Sequence, residues 1–174
     1  MTGRIFTADH HVYDLPPLLS WNVRHTGTVP CDSWSVTAVY QPEMLTVLRM
    51  AAGFAAIENG MTQLRGIVDE YTVELGSRGM TVTLSGRGYA ARLLDNESRP
   101  VTYEQVTLRE LIRCHAEPYG ISCGAAADLR STVPYTAGAG ISQWKVISEF
   151  CRTYGGFLPR FAKTGELLAT PEQD

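Results

Sequence analysis

Four carboxylates lie in or near one stretch of alternating sequence, and they are the residues that could carry out acid–base chemistry: Asp69, Glu70, Glu74 and Asp95. Two carboxylates that flank a glycosidic bond are the catalytic pair of most glycoside hydrolases. Glu70 and Glu74, however, occupy the polar positions of an alternating strand, where solvated charges are the ordinary outcome. The sequence therefore predicts no catalytic residues, and it does not indicate an enzyme.

A metal site would have to be built around Cys114, His115 and Cys123, with a fourth ligand from elsewhere. Structural zinc sites use short paired spacings such as C-x-x-C, and none of the four cysteines belongs to such a pair. Buried free thiols are the simpler interpretation. We therefore predict no metal ligands.

The tripeptide Gly86-Arg87-Gly88 follows a predicted strand and precedes a short helix, as a dinucleotide-binding loop does. Ala91 stands where the third glycine of that fingerprint belongs, and the surrounding strands alternate as half-exposed antiparallel strands do. We interpret the glycines as the end of a strand that needs conformational freedom. The sequence accordingly predicts no cofactor.

Composition excludes several classes of protein. The chain has 174 residues, 44% of them hydrophobic, and a formal charge of −3, so it can build a core but lacks the basic surplus typical of proteins that bind duplex DNA. It contains no apolar run of the roughly 18 residues that a membrane span requires, and its first residues lack the apolar segment of a secretory signal. We therefore expect a soluble protein that is made in the cytoplasm and does not insert into a membrane.

The elements that position these residues are mostly strands. Apolar side chains alternate from Tyr71 to Leu84 around a turn at 76–79, which predicts an antiparallel hairpin, and Asn59-Gly60 predicts a second one. A strand over 31–40 has one apolar face, and a short helix is predicted to follow Pro42 and to continue until Gly53. These elements predict a small antiparallel β-barrel or sandwich.

The second part of the chain has helical signals. Thr107 and Glu110 form a capping box that begins one helix, and Ser142 caps another whose apolar stripe includes Trp144, Phe150 and Tyr154. Core packing is the more economical use of those aromatic rings, although a sugar-binding platform would use the same residues. The fold class predicted is α+β, a barrel or sandwich followed by a small helix-loop-helix-hairpin subdomain.

Three segments follow from this pattern: an N-terminal arm or edge strand over 1–30, a β-barrel-like domain over 31–95, and a small α+β subdomain over 101–174. The polar run that begins after Asp95 marks the boundary between the last two. The second subdomain is too small to bury both of its helices well by itself.

Several motifs occur in an order that resembles a known family. They are Gly66-Ile67-Val68-Asp69, then Leu84-Ser85-Gly86-Arg87, then Leu93-Leu94-Asp95, then a capped helix over 107–120, and finally ISQWKVISEFCRTYGGFLPRF with KTGELL. In this order the chain, over about 31–170, resembles the hub proteins of long-tailed phage baseplates. That family is the late control protein D and tail-hub group, with its prophage and tailocin versions.

The resemblance implies a structural virion protein that forms a homo-oligomer, a trimer, and joins the tail tube protein to a spike or tail-tip protein. The protein would be assembled in the host cytoplasm and located in the tail or baseplate of the virion, and DNA would be only passing cargo. Such hubs continue into further segments, so the chain is expected to be either a minimal or a truncated hub. The residues expected to face a lumen or a neighbouring subunit are Glu70, Thr72, Glu74, Thr81, Thr83, Arg87 and Arg92. The sequence also leaves two other functions open: a carbohydrate or cell-wall binding module, and a tail-associated wall hydrolase.

Overall fold

A computed structural model of the protein describes residues 1–27, 30–77 and 79–172. It divides the chain into two compact units, Met1–Gly88 and Tyr89–Asp174. Strands and helices occur in both, and the predicted α+β class is confirmed. The division lies after Gly88 rather than near Asp95, because the short helix α2 (Ala91–Leu94) contributes Leu93 to the core of the second unit.

The first unit contains two antiparallel sheets, each of four strands among the described residues. Sheet A has the order β2-β1-β5-β6, formed by β1 (Thr2–Thr7), β2 (Val12–Asp14), β5 (Ala51–Glu58) and β6 (Met61–Ile67). Sheet B has the order β3-β4-β8-β7, formed by β3 (Leu18–Arg24), β4 (Ser33–Val39), β7 (Glu70–Gly76) and β8 (Gly79–Arg87). Helix α1 (Met44–Arg49) connects β4 to β5.

The N-terminal segment, predicted as an arm or an edge strand, supplies strands to both sheets. Strand β1 lies between β2 and β5, and Ile5 is fully buried. Strand β3 is an edge strand of sheet B. The pairing of β1 with β5 joins residues about fifty positions apart, so no local pattern reveals it.

The two sheets share one core, which makes the unit a sandwich rather than a closed barrel in the described part of the chain. Trp34 of sheet B stacks on Phe54 of sheet A with ring centroids 3.8 Å apart, and its indole N–H donates to the Ile67 carbonyl at 3.1 Å. Gly66 and Gly86 lie where the backbones approach most closely; a Cβ on Gly86 would stand 2.0 Å from the Ile67 oxygen. Only glycine permits that approach.

The turn at Asn59-Gly60 has φ values of 51° and 77°, which confirms the predicted tight hairpin between β5 and β6. The predicted hairpin over 71–84 is also present, as β7 paired with β8 in continuous register from Glu70 opposite Ser85 to Gly76 opposite Gly79. Arg78, in its turn, lies outside the described residues.

The second unit packs three helices and several short strands around its own core. Its helices are α2, α3 (Leu108–His115) and α4 (Gln143–Gly155), with a 3-10 turn at Glu117–Tyr119 after α3. Strand β9 (Val101–Tyr103) pairs with β11 (Tyr135–Ala137), while β10 (Cys123–Ala126) and β12 (Arg160–Phe161) flank β13 (Leu167–Ala169). Phe150, Leu111 and Ile147 are fully buried in this core.

The helix ends follow the sequence signals. Thr107 accepts a hydrogen bond from the Glu110 N–H, and Glu110 accepts one from the Thr107 N–H, so the capping box is confirmed. Ser142 caps α4, and Gly156 ends it with a φ of 71°. Strand β10 lies in a region predicted to be mainly a loop, and it pairs in parallel with β13, far along the chain.

Candidate functional site

One face of sheet B carries polar side chains across all four strands. Directly opposite residues of antiparallel strands share a face, and the register places Asn22, Ser35, Ser85 and Glu70 in one row. The next row holds Ser20, Thr37, Thr83 and Thr72. We call this surface the polar face; its members are Ser20, Asn22, Arg24, Ser33, Ser35, Thr37, Glu70, Thr72, Glu74, Thr81, Thr83, Ser85 and Arg87.

The opposite side of the same strands forms the core. On β8, Val82 and Leu84 are fully buried, while the alternating Thr81 and Thr83 are half-buried. On β7, Glu70, Thr72 and Glu74 are exposed. This alternation follows from the two-residue period of a strand, and it leaves the side chains of the polar face accessible to a ligand or a neighbouring molecule.

Hydrogen bonds between neighbouring strands fix several of these side chains. The Thr37 and Thr83 hydroxyls are 3.0 Å apart, and the Ser85 hydroxyl donates to Glu70 Oε1 at 3.0 Å. At one end of the sheet, Arg87 donates to both carboxylate oxygens of Asp69, at 2.9 and 3.0 Å. A bidentate pair of this kind holds both groups in one orientation.

The charges on the polar face balance, since Arg24 and Arg87 carry formal positive charges and Glu70 and Glu74 carry negative ones. Hydroxyl and amide side chains make up the rest of the face, apart from Val39, which lies opposite Thr81. A surface of this composition offers hydrogen bonds but no excess of either charge, so a charged polymer would meet little net attraction at it.

Six of the seven residues predicted for a lumen or interface lie together on the polar face: Glu70, Thr72, Glu74, Thr81, Thr83 and Arg87. The seventh, Arg92, belongs to the second unit. Its guanidinium donates to the Tyr119 carbonyl at 3.1 Å and lies 4.6 Å from the centre of the Tyr89 ring.

Sequence reasoning missed the part of the polar face that strand β3 provides, Ser20, Asn22 and Arg24. In β3 the polar residues alternate with apolar ones only over 20–24, where Trp21 and Val23 lie between them, and a bulge between Leu18 and Ser20 interrupts the pattern before that point. So short an alternation is a weak signal in the sequence. The double proline just before the strand indicated an extended arm or an edge strand, and no polar face was assigned to it.

His115 lies in a buried polar cluster of the second unit. Its Nδ1 is 2.6 Å from Gln143 Oε1, and its Nε2 is 3.0 Å from the Tyr103 hydroxyl. The Gln143 amide nitrogen donates to the Glu97 carbonyl and to the Tyr119 hydroxyl, both at 2.9 Å. That orientation turns the amide oxygen toward His115, so in the neutral ring Nδ1 carries the proton and Nε2 accepts from Tyr103.

Both nitrogens of His115 are therefore engaged inside the protein, although a zinc site would need one of them. Cys114 is exposed and Cys123 is half-buried. Over residues 1–27, 30–77 and 79–172, no group of three or more histidine, cysteine or acidic residues is placed to hold a metal ion.

The carboxylates considered for catalysis are separated by the fold. Asp69 and Glu70 make the contacts described above in the first unit, whereas Asp95 follows α2 in the second. Glu74 lies on the open polar face. Asp69 therefore lies just before β7, Glu70 lies at its start, and Glu74 lies on an open sheet surface.

The aromatic stripe of α4 packs inward. Phe150 is fully buried and contacts Tyr135 and Tyr154, with ring centroids 5.0 and 4.6 Å apart. Trp144 packs against Phe161 at 5.9 Å. Phe150 belongs to the core, and the half-buried Trp144 and Tyr154 pack against that core, as the predicted packing role requires. In the described part of the chain, none of the helices has the length and apolar character needed to cross a bilayer.

The fold is similar to those of solved tail proteins. The tail protein from Neisseria meningitidis MC58 matches with a TM-score of 0.72 and 14% identity, over 95% of this chain and 50% of that one. The 43 kDa tail protein of prophage MuSo2 from Shewanella oneidensis matches with a TM-score of 0.76 and 14% identity, over 99% of this chain and 55% of that one.

A third similar structure is the E. coli c3393 protein, described as a component of the type VI secretion system with structural similarity to the T4 bacteriophage tail proteins gp27 and gp5. It matches with a TM-score of 0.50 and 12% identity, over 86% of this chain and 47% of that one. No protein-family model matches the sequence, and no curated protein matches it. The chain spans about half the length of these solved structures, and across that span its fold is similar to theirs.

Proposed function

We propose that the protein is a structural component of a phage or phage-like tail, part of a tip or baseplate hub that connects the tail tube to a central spike or tip. It acts by assembling with other copies, as a trimer, and with tube and spike proteins. The observation that carries this proposal is the charge-balanced polar face of sheet B, in a chain that has the fold of tail proteins.

In the proposed assembly the polar face lines the lumen through which DNA or another extended cargo passes. A lumen of this kind must be wetted without binding phosphates, because each cation that neutralises a phosphate releases counterions and thereby favours retention of the nucleic acid. The lining would include Glu70, Thr72, Glu74, Thr81, Thr83 and Arg87. Arg92 is left out, because its contacts lie within the second unit.

The other two functions receive no specific support from the structure. A carbohydrate-binding platform would present its aromatic rings to solvent, whereas the α4 rings pack into the core. A wall hydrolase would require two carboxylates across a cleft, whereas Asp69 is held by Arg87 and Glu74 lies on an open surface.

The test uses purified tail particles from the strain that produces the protein. Mass spectrometry and gold-labelled antibodies should find the chain in the particle, at the tube end that carries the spike. The variant Thr81→Lys adds positive charge to the proposed lumen on β8, an interior strand of sheet B, and Thr62→Lys makes the same change at a half-buried position of sheet A.

We expect both variants to assemble and to adsorb normally, and only the lumen variant to deliver DNA poorly, because its added lysine would bind passing phosphates. Equal delivery by the two variants would contradict the lumen assignment. Absence of the chain from purified tails would overturn the proposed function itself.

A further inference from the structure

Sheet B has two unpaired edges in the described chain, strands β3 and β7, and each is seven residues long. An unpaired edge presents a row of backbone N–H and C=O groups to any strand that can lie beside it. Proteins usually block such edges with lysine, proline or an inward charge. Neither strand contains a lysine or a proline, and the bulge in β3 is confined to the stretch between Leu18 and Ser20. Each strand exposes apolar side chains: Trp21 is 50% exposed and Leu75 is 81% exposed.

The two edges run in opposite directions, because all three pairings between β3, β4, β8 and β7 are antiparallel. A second copy related by rotation can therefore place its β3 antiparallel to β7 of the first, and the sheet continues from copy to copy. Such a head-to-tail contact leaves each new copy with one unpaired edge until a ring closes. Pairing of β3 with another β3 would instead end the sheet at a dimer.

The side chains select one register for this contact. Full overlap of the two strands places Arg24 opposite Glu70 and Asn22 opposite Thr72 on the polar face. On the core face, the same overlap places Val23 opposite Tyr71 and Trp21 opposite Val73.

A slip of one residue would set Trp21 against Thr72 or Glu74 and turn every apolar side chain to the wrong face. A slip of two residues leaves every side chain on its correct face, but Arg24 then no longer lies opposite Glu70 and fewer residues of the two strands are paired.

This register also supplies the stagger that a closed barrel requires. Within one copy, the rows of the sheet align Glu70 with Asn22 through Ser85 and Ser35. At the contact between copies, Glu70 stands opposite Arg24 instead, two residues further along β3. Closed barrels need their strands to be staggered, because the strands tilt with respect to the barrel axis.

We propose that β3 of one copy pairs with β7 of a second copy in this register, with Arg24 opposite Glu70, so that the polar faces of successive copies form one surface. The partner at this edge is a second copy of the chain. The inference rests on the proposed function only in that a lumen requires the copies to be joined around it.

The test is a disulfide trap. In a background with the exposed thiols removed, Cys31→Ser and Cys114→Ser, one tagged chain carries Asn22→Cys and an untagged chain carries Thr72→Cys. Opposite positions of an antiparallel pair lie about 4.5 to 5.5 Å apart between Cα atoms, within the range that a disulfide spans. Oxidation of the mixture with copper phenanthroline should give a tagged-to-untagged dimer on a non-reducing gel.

A matched control pairs Asn22→Cys with Glu74→Cys, which exposes the second thiol on the same face two residues away. Diagonal neighbours are about 7 to 8 Å apart, too far for a disulfide, so this mixture should give little product. Equal yields in the two mixtures would refute the register. A disulfide formed by the Asn22→Cys chain alone would show β3 paired with β3, and no product in any mixture would overturn the contact.

A charge exchange provides a second measurement. Arg24→Glu and Glu70→Arg should each weaken self-association about two- to five-fold in sedimentation experiments, the range expected for an exposed ion pair. The double variant should recover affinity, since each contact regains opposite charges. Two additive losses without recovery would overturn the proposed pair.

These results separate the two proposals. If the chain is found in tails but the Asn22–Thr72 link does not form, the inference is wrong and the proposed function stands. If the link forms but the chain is absent from tails, the contact is correct and the proposed function is wrong.

Discussion

Substitution of Gly86 by alanine tests how the two sheets of the first unit are joined. The new Cβ would stand 2.0 Å from the Ile67 carbonyl oxygen and 2.9 Å from Cζ2 of Trp34. Close carbon-to-oxygen contacts in sheets are about 3.3 Å or longer, so the two backbones must separate by roughly 1.3 Å. That movement would break the Trp34–Ile67 hydrogen bond and disturb the stacking of Trp34 on Phe54.

The magnitude follows from those two losses. Overpacking of a tight core costs about 1–3 kcal/mol, and leaving a buried hydrogen-bonding group without its partner costs a further 1–3 kcal/mol or so. We therefore expect Gly86→Ala to lower the free energy of unfolding of the first unit by about 2–6 kcal/mol. With a denaturant slope near 2 kcal/mol/M, the urea midpoint should fall by about 1–3 M.

The assay is urea unfolding followed by tryptophan fluorescence in a Trp144→Phe background, where Trp21 and Trp34 report on the first unit alone. Gly76→Ala is the matched control in the same sheet: the nearest atom to its Cβ is the Gly79 oxygen at 3.7 Å. The control should be neutral or slightly stabilising, because alanine restricts the unfolded chain. An unchanged midpoint for Gly86→Ala would refute the close approach of the two backbones.

Three further predictions concern the second unit and the thiols. Thr107→Ala removes a helix cap and should lower the stability of the second unit by about 1 kcal/mol in calorimetry, whereas an unchanged transition would mean that the cap contributes nothing. Hydrogen bonds from the backbone and then the side chain of Thr107 lower the pKa of Glu110 below its ordinary 4.5. Since that pKa is depressed in the folded state, the ionised Glu110 stabilises the second unit above about pH 4.5, and this contribution is lost as the pH falls through the folded pKa. Glu110→Gln should make the stability of the unit less dependent on acid pH, and an equally steep loss of stability in the variant would contradict the assignment. Burial raises the pKa of the Cys151 thiol to about 12, so iodoacetamide at pH 8 should modify Cys31 and Cys114 first, and early labelling of Cys151 by mass spectrometry would show that it is accessible.

Local patterns were sufficient wherever a structure depends on neighbours in the chain. The capping box at Thr107, the positive-φ turn at Asn59-Gly60 and the hairpin that follows Glu70 are all short-range features, and each was predicted. The hydroxyl and acidic side of that hairpin was likewise predicted as an exposed surface, and Glu74 lies on it. A two-residue period identifies the face of a strand regardless of what it pairs with.

Long-range pairing was not predictable by the same means. The core strand β1 joins β5 across about fifty residues, and β10 joins β13 in parallel across about forty, so their partners leave no local sign. Helix α1 was predicted to continue to Gly53, but it ends at Arg49 and Gly53 lies in β5, where sheet pairing outweighs the helical spacing of the preceding alanines. The polar face was therefore found only in part, since Asn22 and its neighbours belong to a strand that was expected to be an arm or an edge.

The buried amide of Gln143 has a consequence for how the second unit opens. It links α4 to α3 through His115, to the turn after α3 through Tyr119, and to the segment after α2 through the Glu97 carbonyl. If either helix moved away alone, a buried donor and acceptor would be left without partners, which disfavours partial opening. Amide hydrogens deep in both helices, such as those of Ile112 and Ile147, should therefore exchange with solvent through one common opening event, as a single cooperative folding unit.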